Sequence, residues 1–74
     1  MKGNWITFES ASPTDRGSRI LVKADNICEV DEMTKHKTRV FVHGGTWIIV
    51  KGDFDSVIKR IADAVVDVYP KGGV

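Results

Sequence analysis

The sequence predicts an α+β fold, in which an antiparallel sheet of four to five strands is followed by one C-terminal amphipathic helix. Three observations lead to this prediction. Several short segments alternate apolar and polar residues, with the period of two that is typical of β-strands. The pair Gly44-Gly45 separates two of these segments, as in a tight β-hairpin. The last apolar segment instead repeats at three and four residues, which is the spacing of one helix face.

The first two strands are predicted on either side of a polar loop. In Asn4–Ser10, Ile6 and Phe8 alternate with polar residues or tryptophan, which indicates a strand. The loop over Ser10–Ser18 contains a proline that fixes φ and a glycine that permits positive φ. The apolar segment Arg19–Ala24 then predicts the second strand.

The third strand is predicted over Ile27–Met33, after a bend at Ala24–Asn26. Aspartate and asparagine side chains hydrogen-bond to nearby backbone and therefore favour such a bend. The alternation places Cys28 and Val30 on the inner face of the strand and two acidic residues on the outer face. A charged turn over Thr34–Thr38 then leads to the hairpin.

Both faces of the predicted hairpin are apolar. A loop of two or four residues at the glycines places Val42 opposite Trp47. The same register places Val40 opposite Ile49, so these four side chains share one face. The other face carries the remaining apolar residues of the hairpin: Phe41, Ile48 and Val50.

Asp53 is the predicted N-cap of the helix, because its carboxylate can accept hydrogen bonds from the free N–H groups of the first turn. The apolar stripe that follows comprises Phe54, Val57, Ile58, Ile61, Val65, Val68 and Tyr69. The opposite side is charged and comprises Lys59, Arg60, Asp63 and Asp67. Pro70 is predicted to end the helix, and a flexible tail begins at about that position.

The 74 residues predict one small domain, whose core supplies about 3–5 kcal/mol of net stability unless a staple or a partner adds to it. Cys28 is the only cysteine, so an internal disulfide is excluded. A lone thiol and no signal-peptide pattern predict a reducing, cytoplasmic setting. No apolar run approaches the roughly 20 residues that span a bilayer, so no membrane association is expected.

The second apolar face of the hairpin predicts association with another chain. A single helix covers only one face of a sheet, and the sequence does not decide which face it covers. The candidate interaction face comprises Trp5, Val40, Val42, Trp47 and Ile49, and the alternative is a cluster of Phe41 and Ile48 on the other face. Soluble monomers seldom expose an apolar patch of that size, so we expect a homo-oligomer, most simply a two-fold dimer, or a protein partner still to be identified.

The sequence predicts neither catalysis nor a metal or cofactor site. A metal site needs about four converging ligands, and the soft candidates are Cys28, His36 and His43. The two histidines flank one predicted strand, so about 23 Å separates them at ~3.3 Å per residue. The acidic residues lie on a strand's outer face or cap the helix, which is not the buried pairing that general acid–base chemistry requires.

A small nucleic-acid-binding module is the alternative function. The turn Lys35–Arg39 is basic, and the candidate contacts comprise Lys35, Lys37, Arg39 and His43 beside Phe41 or Trp47. Basic and aromatic side chains on a sheet can bind single strands by phosphate contact and base stacking. The net charge of only +1 makes this function less favoured than protein contacts.

The segments "LVKADNICEVDEM" and "GGTWIIVKGDFDSVIKRI" resemble the small flagellar and swarming-motility proteins of the FlbD type. The likeness covers Ile20–Ile61 and shares that family's order of strand, Asn-Ala-Asp, strand, glycine hairpin and acidic-capped helix. Lys23 stands where the family usually has asparagine. The residues that match are Ala24, Asp25, Ile27, Val30, Glu32, Gly45, Val50 and Val57. The resemblance implies a small bacterial or phage accessory protein of the cytoplasm without a known active site.

Overall fold

The protein forms five antiparallel β-strands followed by one helix, as seen in a computed structural model that describes residues 4–68. The elements are β1 (Trp5–Glu9), β2 (Arg19–Lys23), β3 (Ile27–Glu32), β4 (Lys37–Val42), β5 (Thr46–Lys51) and α1 (Phe54–Val68). A single 3₁₀ turn over Ala24–Asn26 forms the predicted bend between β2 and β3. The α+β class and the C-terminal helix are confirmed.

The strands form two sheets, so the prediction of one continuous sheet is wrong. One sheet pairs β1 with β2, and the other has the order β3-β4-β5. A single bridge between Ser10 and Val50 connects β1 to β5. The ladder stops there because the chain leaves β1 into its loop, where the Ser10 N–H donates to the Ser18 carbonyl at 2.7 Å. The 3₁₀ turn reorients the chain between β2 and β3, so the two sheets share one core.

The core lies between the two sheets and α1. Its buried members are Ile6, Phe8, Val22, Ala24, Val40, Val50 and Val57. On the helix, Val57 is buried and Ile61 and Val65 pack against the core, which confirms the main part of the predicted stripe. Ile58, in contrast, is exposed. Tyr69, Pro70, the tail and the side chain of Val68 lie outside the part of the chain that the structure describes.

The predicted register of the hairpin is wrong by one residue. The loop has three residues, His43-Gly44-Gly45, and both glycines have positive φ, 106° and 88°. Phe41 therefore lies opposite Trp47, and Val42 lies opposite Thr46. Side chains alternate between the two faces along a strand. A loop with an odd number of residues therefore puts Trp47 on the same face as Phe41, whereas a loop of two or four residues would put it on the face of Val42.

A β-bulge moves Cys28 out of its predicted inner position. Ile27 pairs with Val42 and Glu29 pairs with Phe41, so two steps along β3 match one step along β4. Cys28 is the extra residue at this irregularity and is exposed, whereas Ile27 takes the core-facing place. The sequence has no feature that distinguishes such a bulge from regular alternation.

Asp53 caps the helix as predicted. Its Oδ2 accepts from the Ser56 N–H at 3.1 Å, and its Oδ1 accepts from the Ser56 hydroxyl at 2.7 Å. These hydrogen bonds lower the pKa of the Asp53 carboxyl below its ordinary value. Gly52 allows the sharp entry into the helix because its φ is 130°, and its N–H donates to the His36 carbonyl at 2.8 Å.

We expect Asp53→Ala to lower the free energy of unfolding by about 0.5–2 kcal/mol, because the first-turn N–H groups lose their acceptor. Urea denaturation of the purified variant measures the loss. Asp55→Ala is the matched control, since Asp55 is an acidic residue of the same first turn and contributes only through the helix dipole, about 0.3–1 kcal/mol. A larger loss for Asp55→Ala than for Asp53→Ala would show that the cap is misassigned.

Candidate interaction face

The side of the three-stranded sheet that faces away from the core carries the candidate site, and we call it the outer face. Its members on β3 are Glu29 and Asp31, those on β4 are Lys37, Arg39 and Phe41, and those on β5 are Trp47, Ile49 and Lys51. Between them in the chain, Thr38, Val40 and Val50 are fully buried on the core side. The alternation of strand residues therefore fixes which side chains can meet another molecule.

Two aromatic rings and one guanidinium form the centre of the outer face. Phe41 and Trp47 are directly opposite in the ladder, and their ring centroids lie 5.7 Å apart at 51°. The Arg39 guanidinium carbon lies 5.2 Å from the Phe41 centroid and 5.7 Å from that of Trp47. The Trp47 residue is 52% exposed. The cluster thus presents a large aromatic surface that neighbouring side chains hold in place.

Asp31 fixes the arginine of this cluster. The two residues are opposite in the β3–β4 ladder, with Arg39 Nε 3.1 Å from Asp31 Oδ1 and Nη2 2.8 Å from Oδ2. These bonds hold the pKa of the Asp31 carboxyl below its ordinary value. Both side chains remain about a third exposed, 34% and 37%. A forked pair of this kind holds the guanidinium plane in one orientation beside the rings.

The loop between β1 and β2 covers part of the β5 edge. The Ala11 N–H donates to the Ile49 carbonyl at 2.9 Å, and Ala11 itself is buried. The Ser10 hydroxyl donates to Asp15 at 2.8 Å and thereby braces the loop. Ile49 is therefore half-buried, and a shallow cleft of about 200 Å³ separates this loop from Trp47. Phe41 and Trp47 are left as the accessible apolar surface.

The structure divides the five residues of the predicted interaction face among three places. Trp47 and Ile49 lie on the outer face. Val40 is buried and Val42 is half-buried on the core side, which the one-residue register shift explains. Trp5 lies on β1, 53% exposed on the far side of the two-stranded sheet.

The sequence places Arg39 beside Phe41 or Trp47 only as a candidate nucleic-acid contact and does not predict the cluster of all three. Phe41 was assigned to the face opposite Trp47, and the pairing of Arg39 with Asp31 was not predicted. The glycine pair after a histidine was the one available signal, since a three-residue loop with glycine at a positive-φ position is a common hairpin connection.

The predicted nucleic-acid contacts are also separated. Lys37 and Arg39 lie two residues apart on the outer face. Lys35 lies in the turn before β4 and His43 in the loop after it, so they stand at opposite ends of that strand. The structure therefore brings Lys37 and Arg39 together, but it places Lys35 and His43 at the two ends of the strand.

Groups with intrinsic chemical reactivity are sparse in the described part of the chain. The Cys28 thiol is exposed and donates to the Phe41 carbonyl at 3.6 Å. Within residues 4–68, no three side chains among histidine, cysteine, aspartate and glutamate converge as metal ligands. The same residues contain no helix with the length and apolar character needed to cross a membrane.

No protein-family model, curated protein or solved structure matches this chain. The resemblance to the FlbD type therefore depends on the matching residues named above and stays a prediction.

Proposed function

We propose that the protein is a non-catalytic accessory protein that acts through protein contacts, first of all by self-association through the outer face. The observation that supports this most is the Trp47–Phe41–Arg39 cluster, half-exposed and already held by Asp31. Tryptophan and arginine are enriched at the energetic centres of protein interfaces. Because the cluster is ordered before binding, little side-chain entropy remains to be lost on association.

The charge distribution on the outer face suits a two-fold partner. Glu29 and Asp31 line the β3 side, whereas Lys37 and Lys51 lie opposite each other at the far end of the hairpin. A two-fold axis near Trp47 brings the acidic side of one copy towards the basic end of the other. Phe41 and Trp47 then form the apolar centre and the charges form the rim, which is the usual arrangement of an interface.

Sedimentation equilibrium over a micromolar concentration range tests self-association. We expect the wild type to be a dimer at the upper concentrations and Trp47→Glu to be monomeric, because the substitution places a carboxylate at the apolar centre. Trp5→Glu is a closely matched control: Trp5 is 53% exposed, Trp47 is 52% exposed, and only Trp47 lies on the outer face. This control is expected to remain a dimer.

Two outcomes would contradict the proposed interface. A wild type of monomer mass at every concentration would exclude self-association. Dissociation by Trp5→Glu but not by Trp47→Glu would instead place the contact on the β1–β2 sheet. Circular dichroism of each variant confirms that the change in mass does not reflect unfolding.

We also infer that the protein has no catalytic role and acts in the cytoplasm. His36 and His43 are exposed at opposite ends of β4, and the exposed Cys28 thiol donates only to a backbone carbonyl. An exposed unpaired thiol suits a reducing compartment. These features support the inference together with the absence of a paired-carboxylate pattern in the sequence.

Binding of single-stranded nucleic acid is the second candidate function. It is favoured by Lys37, which shares the outer face with Phe41 and Trp47, since strand-binding sheets combine cations with stacking platforms. It is less favoured than self-association because Arg39 is already paired with Asp31 and therefore less available to phosphate.

Fluorescence anisotropy with labelled DNA and RNA single strands tests this second function. Phosphate contacts make affinity fall steeply with salt, so we expect micromolar binding at low salt that disappears at high salt. Lys37→Ala should weaken it. Lys59→Ala is the control, because Lys59 is an exposed lysine of α1. Lack of binding at low salt would eliminate this function.

A further inference from the structure

A cleft of about 350 Å³ lies at the end of the hairpin remote from its glycine loop. It is bounded by the end of β1, the loop after β1, the turn before β4 and the end of β5. Its lining residues are Glu9, Ser10, Ala11, Arg16, His36, Lys37 and Lys51. The volume is near the lower end of the range of about 300–1,000 Å³ that is usual for small-molecule sites.

The cleft concentrates positive charge. Lys37 and Lys51 are directly opposite in the β4–β5 ladder, an arrangement in which like charges repel. Arg16 adds a third cation from the loop on the other side. Among residues 4–68, Glu9 supplies the one carboxylate that lines the cleft. Its Oε2 lies 3.9 Å from the Lys51 Nζ, and the side chains of Glu9 and Lys51 are 47% and 68% exposed. One such contact leaves most of this charge uncompensated.

Hydrogen bonds fix the segments that supply these cations. The Gly17 N–H donates to the Ser10 carbonyl at 2.9 Å, which closes the loop that carries Arg16. On the other side, the Gly52 N–H donates to the His36 carbonyl at 2.8 Å. The buried Thr38 hydroxyl donates to the Gly52 carbonyl at 2.9 Å. The backbone that carries these cations is therefore fixed before any ligand enters.

We propose that this cleft binds a small phosphate-type oxyanion, with Arg16, Lys37 and Lys51 as its cationic ligands. A guanidinium can bind two phosphate oxygens at once, and two ammonium groups supply further charge-assisted hydrogen bonds. The anion also offsets the repulsion between the two opposed lysines. Lys37 and Lys51 also belong to the outer face and to the rim of the proposed dimer, whereas Arg16 and the loop after β1 line this cleft and not the Trp47 cluster.

Titration with pyrophosphate and with inorganic phosphate, followed by backbone amide chemical shifts, tests the site. We expect saturable shifts for Ala11, Gly17 and Gly52, beyond those produced by sodium chloride at equal ionic strength. The double variant Arg16→Gln/Lys51→Gln should weaken pyrophosphate binding by at least about tenfold, the effect of losing charge-assisted hydrogen bonds. Arg16→Gln alone should weaken it less, and it preserves the Lys51–Glu9 contact.

The matched control is Lys59→Gln, which removes one lysine from α1, where Lys59 lies 3.7 Å from Asp63. Its affinity should stay within about twofold of wild type, because the lysine is exposed and remote from the cleft. Shifts that follow ionic strength alone would overturn the proposal. Equal affinities of the folded double variant and the wild type for pyrophosphate would also overturn it. Binding of a labelled single strand without saturable binding of pyrophosphate would overturn it too and would favour the second candidate function.

Discussion

Phe8→Ala is expected to unfold the protein under conditions in which the wild type is folded. Phe8 is 1% exposed, pairs with Ile20 across the two-stranded sheet and belongs to the core shared with Val57. Truncation of a buried phenylalanine costs about 3–5 kcal/mol, since the contacts are lost and a cavity remains. A core of this size supplies about the same net stability, so little is left to hold the fold.

A second loss on Phe8→Ala comes from Arg60, which was predicted on the charged side of the helix. Arg60 is exposed, and its guanidinium also donates to the Thr7 carbonyl and lies 4.9 Å from the Phe8 ring centroid. Arg60 therefore connects α1 to β1, and removal of the ring leaves its guanidinium without that contact.

Circular dichroism and urea denaturation measure the effect of Phe8→Ala. Leu21→Ala is the control, because Leu21 belongs to the same small sheet but is exposed, and a surface change of this kind stays within about 0.5 kcal/mol. A cooperative Phe8→Ala transition at the wild-type urea midpoint would mean that the two sheets and the helix do not share one core.

The helix and its cap could be predicted from sequence because their signals are local. Asp53 and Ser56 are three residues apart, and Val57, Ile61 and Val65 follow the helical period without reference to any other segment. The class of the fold follows from the same kind of signal, since each strand alternates on its own. Each of these predictions used only residues within one short segment of the chain.

The relative placement of the strands could not be predicted in the same way. Pairing between β4 and β5 changes by one residue with the loop at His43, and pairing between β3 and β4 changes at the Cys28 bulge. The length of the hairpin loop and the position of the bulge are backbone geometries that many different sequences can adopt, so the residues alone do not specify them. The division into two sheets likewise depends on backbone geometry, since only an isolated bridge from Ser10, just after β1, reaches Val50 of β5.

The candidate site inherits both of these errors. The sequence assigns Trp47 to the interaction face with Val40, Val42 and Ile49, and in the observed register only Ile49 still shares its face. Its neighbours Phe41 and Arg39 could be assigned only from the true pairing, since one residue of shift replaces them with Val40 and Val42. Clusters of side chains across strands therefore require the register.

Val40→Lys is expected to abolish folding, whereas Ile49→Lys is expected to leave the fold intact. Val40 is 0% exposed and faces the core beside Val50 and Val57. A buried ammonium without a partner costs several kcal/mol, which exceeds the net stability of about 3–5 kcal/mol expected for so small a core. Ile49 lies half-buried on the outer face, where a lysine can extend its charged end into water.

This pair of substitutions separates the two possible registers. In the register with a two- or four-residue loop, Val40 and Ile49 lie opposite each other on one face, so both lysines would have similar effects. In the register with His43-Gly44-Gly45 as the loop, they lie on opposite faces and only Val40→Lys unfolds the chain. Amide spectra of the two variants at equal concentration decide between these cases. Ile49→Lys should also shift the sedimentation equilibrium towards monomer, because it adds a third cation beside Arg39 and Lys51 at the edge of the Trp47 cluster.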